Sequence, residues 1–209
     1  MALLEAIIQI QEDEKYESIF EKTYAVYEEE LKNRGNRPKL MGKFIFINEM
    51  AEDDGKDNAF WHISSIGADD SKFDSYPCNN HICYQKCKFL CEVEHEENHL
   101  KDRNSVPCIY RSICMPPIKI LIEMVNQKDE NPNLKVWESI NSKTKEKSFC
   151  IRYESQQEGI DYIIIFAKKG GKNGKDVFYT LKTAFPISLK SFKKRFNREY
   201  DKYKEKMAK

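Results

Sequence analysis

Four strand-like runs follow one another in the second half of the chain, and this pattern restricts the fold more than any other feature. The runs are rich in Ile, Val, Phe and Tyr and are separated by turn signals: KVWESI, SFCIRYES, DYIIIFAKK and DVFYTLKTAFPI. Consecutive strands with short connections favour antiparallel pairing. Residues 135–187 therefore predict an antiparallel meander, in which the glycine- and lysine-rich stretch 169–176 forms a hairpin loop.

A charged segment after the meander predicts a basic C-terminal helix over residues 188–209. Ser188 would be its N-cap, and one face would carry Leu189, Phe192, Phe196 and Tyr200. An apolar helix face has to be buried against another element. We therefore expect this helix to close the meander.

The N-terminal third predicts helices followed by short strands. Residues 1–38 would form a helical arm, with helices over 2–10 and 14–33. In residues 39–77, the runs KFIFINEM and AFWHISSI predict the first strands.

Residues 78–126 predict a Cys- and His-rich helical insert, which ends in a buried helix over 118–126 after a proline pair. The chain as a whole then predicts one α+β domain over residues 1–209. In it, the N-terminal helices pack on a small antiparallel sheet, and the insert and the C-terminal helix complete the fold.

Charge is distributed unevenly, although the formal net charge is only +1. Residues 1–34 hold nine acidic and four basic side chains, whereas residues 167–209 hold fourteen basic and four acidic ones. Such asymmetry favours a polyanionic partner for the C-terminal part, and nucleic acid is the obvious candidate. A solvated lysine-rich helix without a partner would show the same pattern.

The sequence favours a cytoplasmic protein without a membrane partner. No window approaches the roughly 18 apolar residues that a membrane span needs. The N-terminus MALLEAIIQIQEDEKYE lacks a basic leader and turns acidic at once, unlike a secretory signal. The seven cysteines are an odd number, which argues against a complete set of disulfides and for reduced thiols.

The segment 78–114 contains six of the cysteines and three histidines. Five of these residues recur every four positions: Cys83, Cys87, Cys91, His95 and His99. A helix would present them as a stripe along one side, and a single tetrahedral zinc ion could not bind all five. The short paired knuckles of structural zinc sites are absent. We expect no cofactor and no metal at a catalytic site. Zinc holding the insert together and cysteines acting as small buried hydrophobes both remain open here.

Nucleotide-binding, metalloprotease and serine-hydrolase motifs are absent, since the chain lacks GxGxxG, GxxxxGK[ST], HExxH and GxSxG. What remains is a set of polar groups on predicted strands. On a strand, His62 would share a face with Phe60 and Ser64. Arg152 would lie mid-strand, where a guanidinium needs an edge, a ligand, or a carboxylate such as Glu154 or Glu138. In FYTLKTAFP, alternation would place Tyr179, Leu181 and Thr183 on one face.

These residue types suit RNA cleavage without a metal. That reaction needs a base for the ribose 2′-OH, an acid for the leaving 5′-oxygen and cations for the charge that develops on phosphorus. Histidine is the side chain that titrates nearest to neutral pH. His62 could equally be a satisfied core or edge residue.

Three motifs stand out over roughly residues 40–200: HxxxIG at residues 62–67, CxYR at 108–111 before an apolar helix, and the terminal FYTLKTAFP of the meander. In these motifs the chain resembles the phage-associated branch of the barnase–EndoU–colicin–RelE nuclease fold. The resemblance implies N-terminal helices packed on a small antiparallel sheet that carries an RNase site. Proteins of this fold often act as toxins or in phage defence, commonly on mobile elements.

The resemblance implies roles for four residues. His62 would be the general acid and base, Thr183 would lie near the phosphate, and Arg111 and Arg152 would bind it. RNA contacts around the site are expected from a further set: Tyr110, Lys168, Tyr179, Lys182, Lys193, Lys194 and Arg195. The implied product is a 2′,3′-cyclic phosphate, and an antitoxin or a phage protein would be the protein partner.

Two alternatives use the same sequence differently. A zinc-stapled module could bind nucleic acid through its basic helix, or bind a protein, without catalysis. An accessory protein could use the sheet only as a scaffold. The N-terminal helices could pack on the sheet or on a second copy of the chain, which would make a homodimer.

Overall fold

A computed structural model gives the structure of residues 3–11, 13–49, 52–53, 55–67, 105–141, 143–170 and 177–208. The predicted α+β class is confirmed. The described residues form five α-helices: α1 Tyr16–Tyr27, α2 Asn58–Ser64, α3 Ile109–Ile113, α4 Pro117–Asn126 and α5 Lys190–Met207. A 3₁₀ turn covers Leu3–Ala6, and a π-helical turn, Glu28–Lys32, continues α1.

The strands are β1 Ile45–Phe46, β2 Glu52–Asp53, β3 Lys56–Asp57, β4 Ser65–Gly67, β5 Ser105–Pro107, β6 Leu134–Ile140, β7 Lys147–Ser155, β8 Ile160–Gly170 and β9 Val177–Pro186. The main sheet has the order β1-β9-β8-β7-β6, and β6 to β9 form the predicted meander. The sheet is mixed rather than wholly antiparallel, because β1 pairs parallel with β9. Local patterns do not reveal a pairing across more than a hundred residues.

Both faces of the meander are buried, so the sheet is covered on each side. Phe149, Ile151 and Tyr153 of β7 join a core built with α1, α2, α3 and α4. The alternate residue Cys150 lies in a second cluster together with Phe196 of α5. This alternation follows from the two-residue period of a strand. Helices α1 to α4 thus cover one face of the sheet, and α5 covers the other.

The predicted helices agree with the structure where the apolar period is strong. The helix expected over 118–126 is α4, and α5 carries Phe192, Phe196 and Tyr200 toward the sheet as expected. Helix α5 begins two residues after Ser188, and its N-cap is Leu189. The helix expected over 2–10 is wrong apart from one 3₁₀ turn. There, the backbone N–H of Ile8 donates to the carbonyl of Ile113 instead of continuing a helix.

The strand predicted for AFWHISSI is wrong, because most of this run forms α2. Phe60, Trp61, Ile63 and Ser64 are buried and His62 is exposed, a pattern with helical rather than two-residue period. The Ser64 hydroxyl donates to the Phe60 carbonyl one turn earlier, at 2.8 Å, which satisfies a polar group inside the core. The loop and helix expected within residues 68–104 lie outside the described residues.

Arg152 joins α5 to the sheet through buried charge. Its side chain has no exposed surface. The guanidinium donates to both carboxylate oxygens of Asp161, at 2.7 and 2.8 Å, and to the Asn197 side-chain oxygen of α5 at 2.6 Å. Glu154 lies 3.3 Å from the same guanidinium and also binds the ammonium groups of Lys135 and Lys193. The network thus fixes the angle at which α5 crosses the sheet.

The charge network predicts acid-sensitive stability through Glu154. Burial alone would raise the pKa of this carboxyl, but hydrogen bonds from Lys135 and Lys193 and the charge of Arg152 outweigh it and lower the pKa from 4.5 to about 2. The folded pKa lies below the unfolded one, so the stabilisation is complete above the unfolded value and is lost as pH falls toward the folded value. We expect the contribution of Glu154 to the free energy of unfolding, measured with urea, to fall by roughly 1–3 kcal/mol as the pH is lowered from about 5 to about 2.

Glu154→Gln is the matched variant for that experiment. It keeps the shape of the side chain but cannot titrate, so the stability difference between wild type and variant should shrink as the pH falls. A difference that stays constant down to about pH 2 would contradict the assignment.

Candidate functional site

His62 projects from the exposed side of α2 into a small open pocket. The helix turns Phe60, Trp61 and Ile63 into the core, and this leaves the imidazole outside. The pocket has a volume of about 270 Å³ and is lined by Ile47, Asn48, Asn58, Ala59, His62, Ile63, Leu181 and Lys182. A polar rim over an apolar base is the usual form of a small ligand site.

A β-bulge in β9 brings Lys182 to this pocket. Ile165 of β8 pairs with Thr183, and the next residue, Phe166, pairs with Leu181, so Lys182 is an extra residue without a partner in the ladder. Bulges bend a strand and re-aim a side chain, and they occur often next to functional sites. The Lys182 ammonium also binds Glu146 at 2.6 Å, in a partly exposed ion pair. Such partly exposed pairs contribute little to stability.

The bulge also separates Thr183 from the residues expected beside it. Tyr179 and Leu181 pack on the face of the sheet that α1 to α4 cover. Thr183 pairs with Ile165, which packs on the α5 side. The expectation that Tyr179, Leu181 and Thr183 share one face is therefore wrong, because one inserted residue reverses the alternation. Thr183 faces away from the helix that carries His62.

The structure places the two arginines differently. Arg152 lies on the α5 side of the sheet, with its charge neutralised by Asp161 and Glu154, as the carboxylate-paired alternative predicted. Arg111 of α3 lies closer to His62, since its Nη1 donates to the carbonyl of Ser65, directly after α2, at 2.6 Å. The Arg111 guanidinium also packs 4.7 Å from the ring centre of Phe185, and its Nε is buried without a hydrogen-bond partner among the described residues.

Most of the other residues expected to contact RNA are already engaged. Tyr110 and Tyr179 are buried in the core, and Lys168 pairs with Glu138. Lys193 binds Glu154 at 2.7 Å and lines a second pocket, of about 250 Å³, whose carboxylates are those of the Arg152 network. Arg195 packs over the rings of Phe192 and Phe196 and approaches Glu199 at 3.7 Å. Lys194 is exposed and has no ion pair within the described ranges.

Helix α5 carries a basic stripe that sequence reasoning found only in part. Five exposed basic residues recur every four positions on the side away from the sheet: Lys190, Lys194, Arg198, Lys202 and Lys206. None forms an ion pair with another described residue. Asp201 and Glu205 interrupt the last two turns, so the first two turns are the most basic part. Counting the spacing of four across the whole helix would have revealed the stripe.

The described cysteines behave as buried apolar residues. Cys108, Cys114 and Cys150 are buried and unbridged, and burial raises the pKa of the Cys150 thiol to about 12. Such a thiol is not a nucleophile near neutral pH. Within the described residues no group of three or more potential ligand side chains could hold a metal ion. The other cysteines of the 78–114 segment and its three histidines lie outside the described residues. The zinc alternative depends on them and is therefore not tested by the structure.

Comparison of the chain with protein-family models, with curated proteins and with solved structures finds no match. Among the described helices, none combines the length and the apolar character required to cross a bilayer. The geometry of the His62 pocket and of α5 is therefore the basis for a functional assignment.

The placement of Arg152 predicts a structural role for this residue. We expect Arg152→Met to lower the free energy of unfolding by about 3–5 kcal/mol, because Asp161 and Glu154 stay buried without their main partner. Arg198→Met, on the outer face of α5, is the matched control and should change stability by less than about 0.5 kcal/mol. Equal effects of the two variants in urea unfolding would contradict this role.

Proposed function

We propose that this protein is an RNA endonuclease that needs no metal and cleaves by attack of the ribose 2′-OH on the adjacent phosphate. The observation that supports the proposal most directly is the exposed imidazole of His62 in a pocket shared with the bulged Lys182. His62 would accept the proton of the 2′-OH as the 2′-oxygen bonds to phosphorus, and the imidazolium would give that proton to the 5′-oxygen as the P–O5′ bond breaks. Lys182 would neutralise charge on the phosphorane-like transition state, and the Asn58 amide can donate to a phosphate oxygen.

This site differs from the one expected from sequence in its cations. Lys182 replaces Arg152 and Thr183 as the group beside the phosphate. Arg111 acts as a positioning residue, because its hydrogen bond to the Ser65 carbonyl holds the end of α2 and therefore the orientation of His62. The resemblance to toxin-type nucleases of phage-associated elements supports the same reaction. It also suggests a cytoplasmic enzyme with an antitoxin or a phage protein as its partner.

The proposal predicts the behaviour of His62 variants in a defined assay. Purified wild type should cleave single-stranded RNA in the presence of EDTA and leave a 2′,3′-cyclic phosphate. His62→Ala should reduce the rate by roughly a hundredfold or more, the usual contribution of a general acid or base. Its urea unfolding curve should match that of wild type, since the side chain is exposed.

Lys182→Met should also reduce cleavage, whereas Lys143→Met, an exposed lysine in the β6–β7 turn, is the matched control and should not. Full cleavage by His62→Ala, or loss of all cleavage in EDTA, would remove the nuclease assignment.

A second function, nucleic-acid binding without cleavage, is favoured by the basic stripe of α5. Lysines at the start of a helix oppose the helix dipole, and the first turn of α5 contains Lys190 and Lys193 but no acidic residue. These cations therefore do not stabilise the helix through its dipole. The ion pair with Glu154 accounts for Lys193, and contact with phosphates would account for Lys190. Because the stripe and the His62 pocket lie on different sides of the sheet, either function can be tested without the other.

The second function predicts a salt dependence. Replacing Lys190, Lys194 and Arg198 with glutamine should reduce the slope of log affinity against log salt by roughly two to three units. The matched control replaces Lys143, Lys145 and Lys147 near the β6–β7 turn, which should leave the slope unchanged if α5 is the contact surface. Equal slopes in the two triple variants would exclude α5 as that surface.

A further inference from the structure

The edge of the sheet at β1 exposes an unusual cluster of apolar side chains. Five large hydrophobic residues are exposed in the described chain, and three of them lie within six positions: Met41, Phe44 and Phe46. Phe44 is 62% exposed and Phe46 is 53% exposed, whereas Ile45 between them is buried. A group of large exposed apolar residues with a polar rim often marks an interaction site, unlike single exposed apolar residues. The two exposed phenylalanines are therefore a candidate contact surface.

Phe46 packs against a ring of the neighbouring strand, and Phe44 packs against a lysine. Phe46 is paired with Thr180 of β9, and its ring centre lies 5.2 Å from that of Phe178, edge to face. The ammonium of Lys39 lies 4.7 Å from the ring centre of Phe44. Met41, Phe44, Phe46 and Phe178 are named the edge aromatic patch.

The charge around the edge aromatic patch matches a polyanion. Residues 38–48 include Lys39 and Lys43 and no acidic residue, and the strand Val177–Pro186 contains Lys182 and no acidic residue. Exposed aromatic rings beside lysines are the combination that binds single-stranded nucleic acid. Bases stack on the rings while the cations hold the backbone.

The edge aromatic patch borders the His62 pocket along both strands, but alternation places its rings on the α5 side of the sheet, since Phe46 pairs with Thr180 whereas Ile45 pairs with the core residue Tyr179. Strand β1 leads on to Ile47 and Asn48, and β9 leads on from Phe178 to Leu181 and Lys182; all four of these following residues line the pocket. At about 3.3 Å per residue, Phe46 and Asn48 are roughly 7 Å apart along the edge, comparable to one nucleotide step. An RNA strand that passes around this open edge would place one base on the patch and a neighbouring phosphate in the pocket.

We propose that the edge aromatic patch is the base-stacking subsite for single-stranded RNA next to the His62 pocket. This inference rests on the proposed function, since it takes RNA as the ligand. It adds that the substrate must be single-stranded beside the reacting phosphate, because paired bases cannot leave their stack to cover Phe46.

The test measures binding of a fluorescent 2′-O-methyl RNA oligonucleotide, which lacks the attacking hydroxyl, to the full chain by anisotropy. Phe46→Ala should weaken binding roughly tenfold, within the usual contribution of one stacked base. Phe46→Trp should bind at least as tightly as wild type, and Phe46→Leu should be as weak as the alanine variant. Ile140→Ala, which removes another exposed apolar residue from the opposite edge strand, is the matched control and should not change affinity.

Equal affinity of wild type and Phe46→Ala, or full affinity of Phe46→Leu, would overturn the subsite. The subsite would also be overturned if sedimentation shows that the wild-type chain is a dimer and that Phe46→Ala dissociates this dimer without changing the affinity for RNA. The subsite fails alone if RNA is cleaved in a His62-dependent manner at the same KM in Phe46→Ala. The nuclease proposal fails alone if the Phe46 variants lose affinity as expected while wild type cleaves no RNA.

Discussion

Burial of the central strand on both faces is the constraint on which the rest of the structure depends. Strand β8 places Tyr162, Ile164 and Phe166 against the N-terminal helices and Ile163 against α5. A strand that is apolar on both sides needs a layer on each, so the chain must supply helices before and after the meander. Little of the sheet's surface is then left for a ligand. Among the described residues, the two candidate polar surfaces lie at the β1–β9 edge and on the outer face of α5.

The sequence allowed the layers to be predicted, because their signals are local. The four apolar runs, the helix after the proline pair and the amphipathic C-terminal helix all follow from periodicity within one segment. Three features depend on distant partners and were not predictable in that way. These are the parallel pairing of β1 with β9, the helical state of Asn58–Ser64 and the extra residue at Lys182. In the run AFWHISSI, the same apolar residues fit both periods over so short a length, and packing against α1 and α3 selects the helix.

The candidate site depended on these non-local features more than the fold did. His62 was a candidate from sequence, but alternation along an assumed strand gave it the wrong neighbours. A single bulge turns Thr183 away from the helix that carries His62, and no residue pattern in FYTLKTAFP predicts that bulge. Arg152 shows the reverse case. A mid-strand guanidinium has to find partners, and Asp161 on the adjacent strand and Asn197 on α5 meet that need inside the protein. A charged residue in a buried strand therefore indicates a network first and a ligand only when the network is incomplete.

The bulge at Lys182 gives a physical reason for a site at this edge. Strand β1 pairs with β9 over two residues only, so beyond Thr180 the edge of β9 has no neighbouring strand and α2 lies beside it. A regular strand would carry Lys182 and Thr183 on alternate faces, each beneath a helical layer. The extra residue instead leaves Lys182 outside the ladder at the point where His62 faces solvent. The inserted residue thus lies where the open end of a strand pair borders the pocket that His62 and Lys182 line, and the aromatic residues of β1 lie along the same edge.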